Sequence, residues 1–386
     1  MSNWKEYKFS DFVSINPPVK LKKGELYSFV EMKDLNDGQK FCEPSVEREL
    51  SGGSRFENGD TLFARITPCL ENGKICQVRS LKNNIGFGST EFYVFRGKEG
   101  ISNSEFVFYL SRWEEVRNFA EMNFDGTSGR QRVPKETFGN LYLKMPLIDE
   151  QKGIASILSS LDAKIDLLQR NSNSLEELAQ TIFRQWVIEE KKYSKLELSV
   201  FANHLKKSVN PQNFLTKIFN HYSIPAFDNG QRQDIVLGKD IKSNKYLVKS
   251  NTILVSKLNP QFPRIWLIQD EPQGDNSICS TEFQVIEPKD NKYLGYIYCF
   301  LKSKQIIGEL SQATGGTSGS HQRIDPKDIF KLLIPDVDIS SLKKFNEITN
   351  PFWNKINNNK REINSLRKLR ENYLPKLMSG EIKVKM

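Results

Sequence analysis

The sequence predicts an α+β protein written twice. It should hold two similar α+β globular domains separated by two long helical segments, which pair as an antiparallel coiled coil with an internal pseudo-two-fold repeat. Three observations carry this expectation: an internal repeat at constant spacing, strand-like runs alternating with turn residues in the first part of each copy, and an apolar seam of period 3.5 in the second part.

The repeat comes first. Thr90-Glu91-Phe92 recurs as Thr281-Glu282-Phe283, 191 positions on. Thr61 falls on Thr252, Gln131-Arg132 on Gln322-Arg323, Lys164-Ile165 on Lys355-Ile356, and Leu175 and Leu178 on Leu366 and Leu369 at the same spacing. Gly126-Thr127-Ser128-Gly129 matches Gly316-Thr317-Ser318-Gly319 at 190. Two copies of 191 leave only 4 of the 386 residues over. The expected division is a first globular domain over 1–148, a helical spacer over 149–192, a second globular domain over 193–336 and a C-terminal helical spacer over 337–386.

Within the globular parts, Thr61-Leu62-Phe63-Ala64 follows Asn58-Gly59, and Phe92-Tyr93-Val94-Phe95 precedes Gly97. Their counterparts are Thr252-Ile253-Leu254-Val255 and Phe283-Gln284-Val285-Ile286. Short runs rich in β-branched and aromatic residues, bounded by turn residues, read as strands. The pattern from Ser104 to Phe119 reads as helix, which makes each domain α+β.

In the first helical part the seam is Ile154, Leu158, Leu161, Ile165, Leu168, Ser172, Leu175, Ala179, Ile182 and Trp186. In the second it is Phe345, Ile348, Phe352, Ile356, Asn359, Ile363, Leu366, Leu369 and Tyr373. Steps alternating between four and three, with small register slips in the second seam, favour paired helices over single helices lying on a domain. Polar breaks stand at Asn171-Ser172-Asn173 and Asn357-Asn358-Asn359. Ser174-Leu-Glu-Glu177 has the form of a capping box, so the first helix is expected to be able to stop and restart there. Pro351 is a matching place for the second to start or kink.

Composition narrows the partners. Apolar residues make up 38% and charged residues 27%, as in globular proteins, and the net charge of +9 is spread along the chain. Folded basic faces follow, with nucleic acid the first partner they suggest and an anionic membrane surface the second. The five cysteines form no CxxC pair and the three histidines are scattered, so no metal site is expected. Unpatterned cysteines, no apolar signal core in MSNWKEYKFSDF and no membrane-spanning run predict a soluble cytoplasmic protein.

No catalytic constellation is expected. There is no GxxxxGK[ST] phosphate loop. Asn16-Pro17-Pro18-Val19 resembles the Asn-Pro-Pro-aromatic motif of amino-methyltransferases, but Val stands where a ring would stack on a flipped base. Pro17-Pro18 reads as a turn. Asp11 with Glu31-Met-Lys33 fits a nuclease carboxylate–lysine pattern too loose to carry weight.

A duplicated basic protein on a rigid spacer suits a split DNA target. A helix of about 38 residues is about 57 Å long, and B-DNA presents one groove to one face every ~34–36 Å. Features shared by both copies cannot encode two different half-sites. Thr127, Ser128, Gln131 and Arg132, with Thr317, Ser318, Gln322 and Arg323, are therefore structural or phosphate-contacting candidates, and Arg130 and His321 beside them are further DNA-binding candidates. Divergent polar residues are the base-contact candidates: Arg65, Thr67, Lys74 and Arg79 in the first copy, and Lys257, Asn259 and Arg264 in the second. Phe183, Trp186, Phe352 and Trp353 exceed what a two-helix seam needs and are candidate anchors for a partner.

Leu175-Glu-Glu-Leu-Ala-Gln-Thr-Ile-Phe-Arg-Gln-Trp186, the tail Leu366-Arg-Lys-Leu-Arg-Glu-Asn-Tyr-Leu-Pro-Lys-Leu-Met-Ser-Gly-Glu-Ile382, and Pro146-Leu-Ile-Asp-Glu-Gln151 resemble the helices of specificity subunits of type I restriction-modification enzymes. In the second copy Pro335-Asp-Val-Asp-Ile-Ser-Ser341 departs from the Pro…Glu-Gln pattern. The resemblance implies two target-recognition domains that read the halves of a bipartite, asymmetric site in double-stranded DNA. It implies helices that hold two methyltransferase subunits, and restriction subunits in full complexes. S-adenosylmethionine, ATP and magnesium are then expected only in those partner subunits. The alternative is a tandem-domain coiled-coil scaffold for proteins, without sequence-specific DNA binding.

Overall fold

The computed structural model describes residues 4–127, 129–189, 193–269, 276–312 and 323–384. The chain divides into two compact units, Met1–Leu168 with Glu362–Met386, and Gln169–Arg361. Each long helix contributes to both: the first spans Ile148–Phe183 and the second Ile339–Met378.

The first unit holds a five-stranded sheet in the order Val13–Ile15, Phe92–Gly97, Thr61–Ala64, Ile75–Val78, Phe41–Cys42. A four-stranded sheet runs Val46–Glu49, Leu26–Val30, Ile85–Gly88, Ser54–Glu57, and a ribbon pairs Lys5–Lys8 with Tyr142–Met145. Alternation along the central strands feeds two cores. Phe63 and Tyr93 point to a core shared with the helix Ser104–Arg112 and with Ile154 and Leu158 of the first long helix. Leu62 and Val94 point to a second core with Val30, Phe56 and Val78. Both faces are covered, so Thr61–Ala64 is buried throughout.

The second unit repeats this plan. One sheet runs Ala202–His204, Phe283–Pro288, Thr252–Ser256, Ile265–Ile268. The other runs Ser208–Val209, Lys245–Leu247, Ser277–Cys279, Ile218–Tyr222, Asp234–Leu237, and the ribbon pairs Lys195–Glu197 with Leu333–Pro335. Ile253 and Leu254 alternate between the helix-side and sheet-side cores as Phe63 and Leu62 do. The expected duplicated α+β fold is therefore present in each unit.

The long helices meet in antiparallel sense within each unit. In the first, Asp162 pairs with Arg370 and Ile165 packs with Ile363. In the second, Asn171 and Ser172 accept from the Asn359 amide at 2.9 and 3.0 Å, and Phe183 meets Phe345. The first helix does not stop at Asn171-Ser172-Asn173, contrary to the capping-box expectation: its polar groups are satisfied across the seam, leaving nothing for a break to relieve. The second begins at Ile339 and runs through Pro351. The seam register also shifts. Leu369 and Tyr373 are exposed, while Arg370 is buried because it closes on Asp162, itself 2% exposed. No helix among the described residues is long and apolar enough to cross a membrane.

Candidate nucleic-acid interface

The shared motifs find each other. A Ser-Thr-Glu turn leads into the strand Phe92–Gly97, where the Glu91 N–H donates to Ser89 Oγ at 3.1 Å; in the second unit Glu282 donates to Ser280 Oγ at 3.2 Å. Each glutamate carboxylate is then gripped by the arginine of the shared Gln-Arg pair. Arg132 donates to Glu91 through Nε at 2.9 Å and NH2 at 2.7 Å, and Arg323 donates to Glu282 at 3.0 Å. This hydrogen bonding raises the pKa of Arg132. Backbone bridges fix the same crossing, Ile66 with Arg132 and Leu258 with Arg323.

In the first unit Asp125 and Arg132 also exchange backbone bonds of 2.9 and 2.8 Å, closing the Gly126–Gln131 loop. Gly126 and Gly129 stand at φ 116° and 85°, conformations a side chain would strain. Thr67 ties the loop down: its N–H donates to the Gln131 carbonyl at 3.0 Å and its Oγ1 accepts from Gln131 N–H at 3.1 Å. Thr127 and Arg130 are left exposed at the tip. Ser128, Thr317, Ser318, His321 and Gln322 lie outside the described residues.

Most of the divergent candidates are engaged inside the chain. Arg65 lies 3.6 Å from Glu91, donates to the Tyr93 hydroxyl at 3.2 Å and stacks over that ring. Lys74 donates to the Met32 carbonyl at 2.8 Å. Arg79 grips Asp166 with both terminal nitrogens, at 3.0 and 2.8 Å, and Glu43 at 2.7 Å, so it braces the sheet on the first long helix. Arg264 is held by Asp228 at 2.7 and 2.9 Å. An arginine fixed this way would have to give up two charge-assisted bonds to reach a base. Lys257 is partly exposed and makes no ion pair among the described residues; beside it Asn259 turns at φ 49° with its Oδ1 buried and unpartnered.

Of the four aromatic candidates, two are core residues. Phe183 is fully buried against Tyr296 and Phe345, and Trp353 lies edge-on to Tyr298 at 5.4 Å over Gly295. Phe352 is partly buried on the same core. Trp186, 37% exposed, borders a hollow of about 300 Å3 with Tyr193, Val337 and Phe345. A partner would meet Trp186, not Phe183 or Trp353. The glutamates Glu91 and Glu282 were the missed residues; their signal was the repeated Thr-Glu-Phe itself.

The cysteine thiols Cys279 and Cys299 are pushed up by burial, and no metal-holding cluster occurs among the described residues. What the geometry defines is a pair of sheet-and-helix domains, each with a glutamate–arginine clamp, which in the first closes the loop before Arg132.

Residues 1–177 match the model of the type I restriction modification DNA specificity domain. The chain is similar to the type I restriction enzyme EcoAI specificity subunit of Escherichia coli, 27% identical over 341 residues, covering 81% of this chain and 54% of that protein. It is also similar to the MjaIX specificity subunit of Methanocaldococcus jannaschii, 23% identical over 316 residues, covering 74% and 71%. The chain thus spans about half the length of the Escherichia coli relative. Its fold is similar to the crystal structure of a type I restriction-modification system S subunit from M. genitalium, with a TM-score of 0.50, 15% identity and coverage of 97% and 96%.

Proposed function

We propose that this chain is the sequence-specific DNA-recognition subunit of a type I restriction-modification complex, with the domains over 1–148 and 193–336 each reading one half of a bipartite, asymmetric site. The observation that carries this reading is the division of labour in the repeat. Shared residues close on one another as the Glu91–Arg132 and Glu282–Arg323 clamps, and the exposed surfaces around them differ. Two equal scaffolds with unequal faces suit two unequal half-sites.

The chain performs no chemistry in this reading. The helical segments over 149–192 and 337–386 hold two methyltransferase subunits, and restriction subunits join in full complexes. Apolar side chains on the outward helix faces, Ile157, Leu167 and Leu178 with Trp186, supply contact area for them. S-adenosylmethionine, ATP and magnesium belong to those partners, and the complex works in the cytoplasm on double-stranded DNA. The test is to express the chain with its modification partner and map methylated adenines across a genome. A single split motif with two different halves and a fixed gap is the expected result. Methylation with no motif, or with one continuous motif, would contradict the proposal.

A further inference from the structure

The two units differ at the outer edge of the sheet that holds Ser54–Glu57 in the first and Lys245–Leu247 in the second. In the second, Ser208–Val209 forms an outer strand on Lys245–Leu247, with Ser208 opposite Tyr246. In the first, Ser54–Glu57 is itself the outermost strand of the corresponding sheet. The chain approaches both edges from the same anchor. Asn16 N–H donates to the Val94 carbonyl at 2.7 Å and Leu205 N–H to the Val285 carbonyl at 2.9 Å, and those two valines are 191 positions apart.

After the anchor the second copy continues as Lys206-Lys207 into its edge strand, whereas the first continues as Pro17-Pro18. Two successive prolines offer no N–H and hold φ near −65°, which disfavours a new ladder. Asn16 reinforces the bend: it sits at φ 53° and its Oδ1 accepts from Val94 N–H at 2.9 Å. The segment therefore passes the Ser54–Glu57 edge without pairing, and the gap is a cleft of about 600 Å3 between residues 16–21 and 53–55.

Its charged lining residues are Lys20 and Arg55, and no carboxylate lines it. Both are exposed and neither forms an ion pair among the described residues; Arg55 has only a 3.5 Å bond to the Val19 carbonyl. The contrast with Arg65, Arg79, Arg96 and Arg132, all held by carboxylates of this unit, is sharp. We propose that this cleft is a contact site for the phosphodiester backbone of DNA, in which Lys20 and Arg55 each neutralise one phosphate beside the half-site read by the first domain. The proposal rests on the reading of the chain as DNA-binding. It gives the Asn-Pro-Pro motif a role: to keep a sheet edge open in one copy that the other copy closes.

The experiment measures binding of the full chain to a labelled mixed-sequence duplex of about 40 base pairs between about 50 and 200 mM salt. Each contacted phosphate contributes about 0.9 to the slope of log K against log salt, so the double variant Lys20→Gln, Arg55→Gln should lose nearly two units of slope and each single variant about one. Over that range the double variant should shed about tenfold less affinity than the parent chain. Thermal unfolding shows whether the variants are folded; both positions are exposed, so an unchanged transition is expected. An unchanged slope in the folded double variant overturns the proposal, as does an equal loss of affinity at every salt concentration. Competition by inorganic phosphate beyond its ionic-strength effect would make the cleft a free-anion site and overturn it too. Failure of the parent chain to bind any duplex would instead bring down the DNA-binding reading itself.

Discussion

In the first unit the Tyr109 hydroxyl donates at 2.7 Å to Asp162, whose carboxylate also closes on Arg370 in a pair almost wholly removed from solvent. In the second unit the residue 191 positions after Asp162 is Trp353, which lies edge-on to Tyr298, and Tyr298 donates at 2.5 Å to Glu176 instead. Partial burial of Glu176 raises its pKa, but Lys302 and the Tyr298 hydroxyl outweigh that and lower it. A tyrosine from the domain helix meets a carboxylate of the first long helix in both units, yet the groups that neutralise the carboxylate have been replaced. The repeat preserves the shape of the domain–helix junction while its chemistry drifts. Two copies free to diverge in this way can come to read different DNA while keeping one architecture.

The junctions should therefore break differently. Arg370→Met leaves Asp162 buried and uncompensated and should cost the first unit about 3–5 kcal/mol. Trp353→Ala should cost the second unit a similar amount through a cavity. Chemical denaturation followed by a probe in each unit checks this; equal destabilisation of both units by either change would mean that the junctions are not independent.

Next in size is the helix surface. Trp186→Ala should weaken association with a methyltransferase partner by about 1–2 kcal/mol, roughly tenfold, with both domains folded. Titration calorimetry reads it, and an unaltered affinity would remove Trp186 from the contact.

The clamps should show a smaller asymmetry. Among the described residues Glu91 serves two arginines and Glu282 one, so Glu91→Gln should destabilise the first unit more than Glu282→Gln destabilises the second. Tryptic cleavage at Arg130 should rise a few-fold in Glu91→Gln. Arg132→Ala should lower DNA affinity for all sequences alike, since its guanidinium positions the loop. A changed base preference in that variant would make Arg132 a reader.

The smallest effect is confined to the second unit. His204 occupies the strand position held by Ile15 in the first, as their partners Ile286 and Phe95 show. Burial, with Lys206 and Lys257 nearby, pushes its pKa down to about 4. The unfolded chain takes up a proton near pH 6.5 that the folded chain refuses. Its contribution to stability is thus present above that pH and lost as the pH falls toward 4. Stability measured from pH 7 to 5 should fall less steeply in His204→Gln, and an identical slope would count against this assignment.

The fold was largely legible because a constant 191-residue register and period-two and period-3.5 patterns are local signals. The seam was legible over most of its length and failed at Ile348, Leu369 and Tyr373, which are exposed; beside the last two, Arg370 is buried instead by its ion pair with Asp162. Charge pairing across elements is a tertiary event that sequence spacing does not encode. The same limit explains the site. Arg79 and Arg264 looked available, and only the fold shows Asp166 and Asp228 beside them. Conversely, the effect of Asn16-Pro17-Pro18 on a sheet edge is visible only beside the second copy, where Ser208–Val209 pairs with Lys245–Leu247.

The central claim is that each unit reads its own half of one site through the residues the copies do not share. Exchanging residues 1–148 for the first domain of another specificity subunit, followed by mapping of methylated adenines in cells holding the modification partner, tests it most directly. The account predicts that one half of the motif changes while the other half and the gap stay as they were. Alteration of both halves together, or of neither, would contradict it.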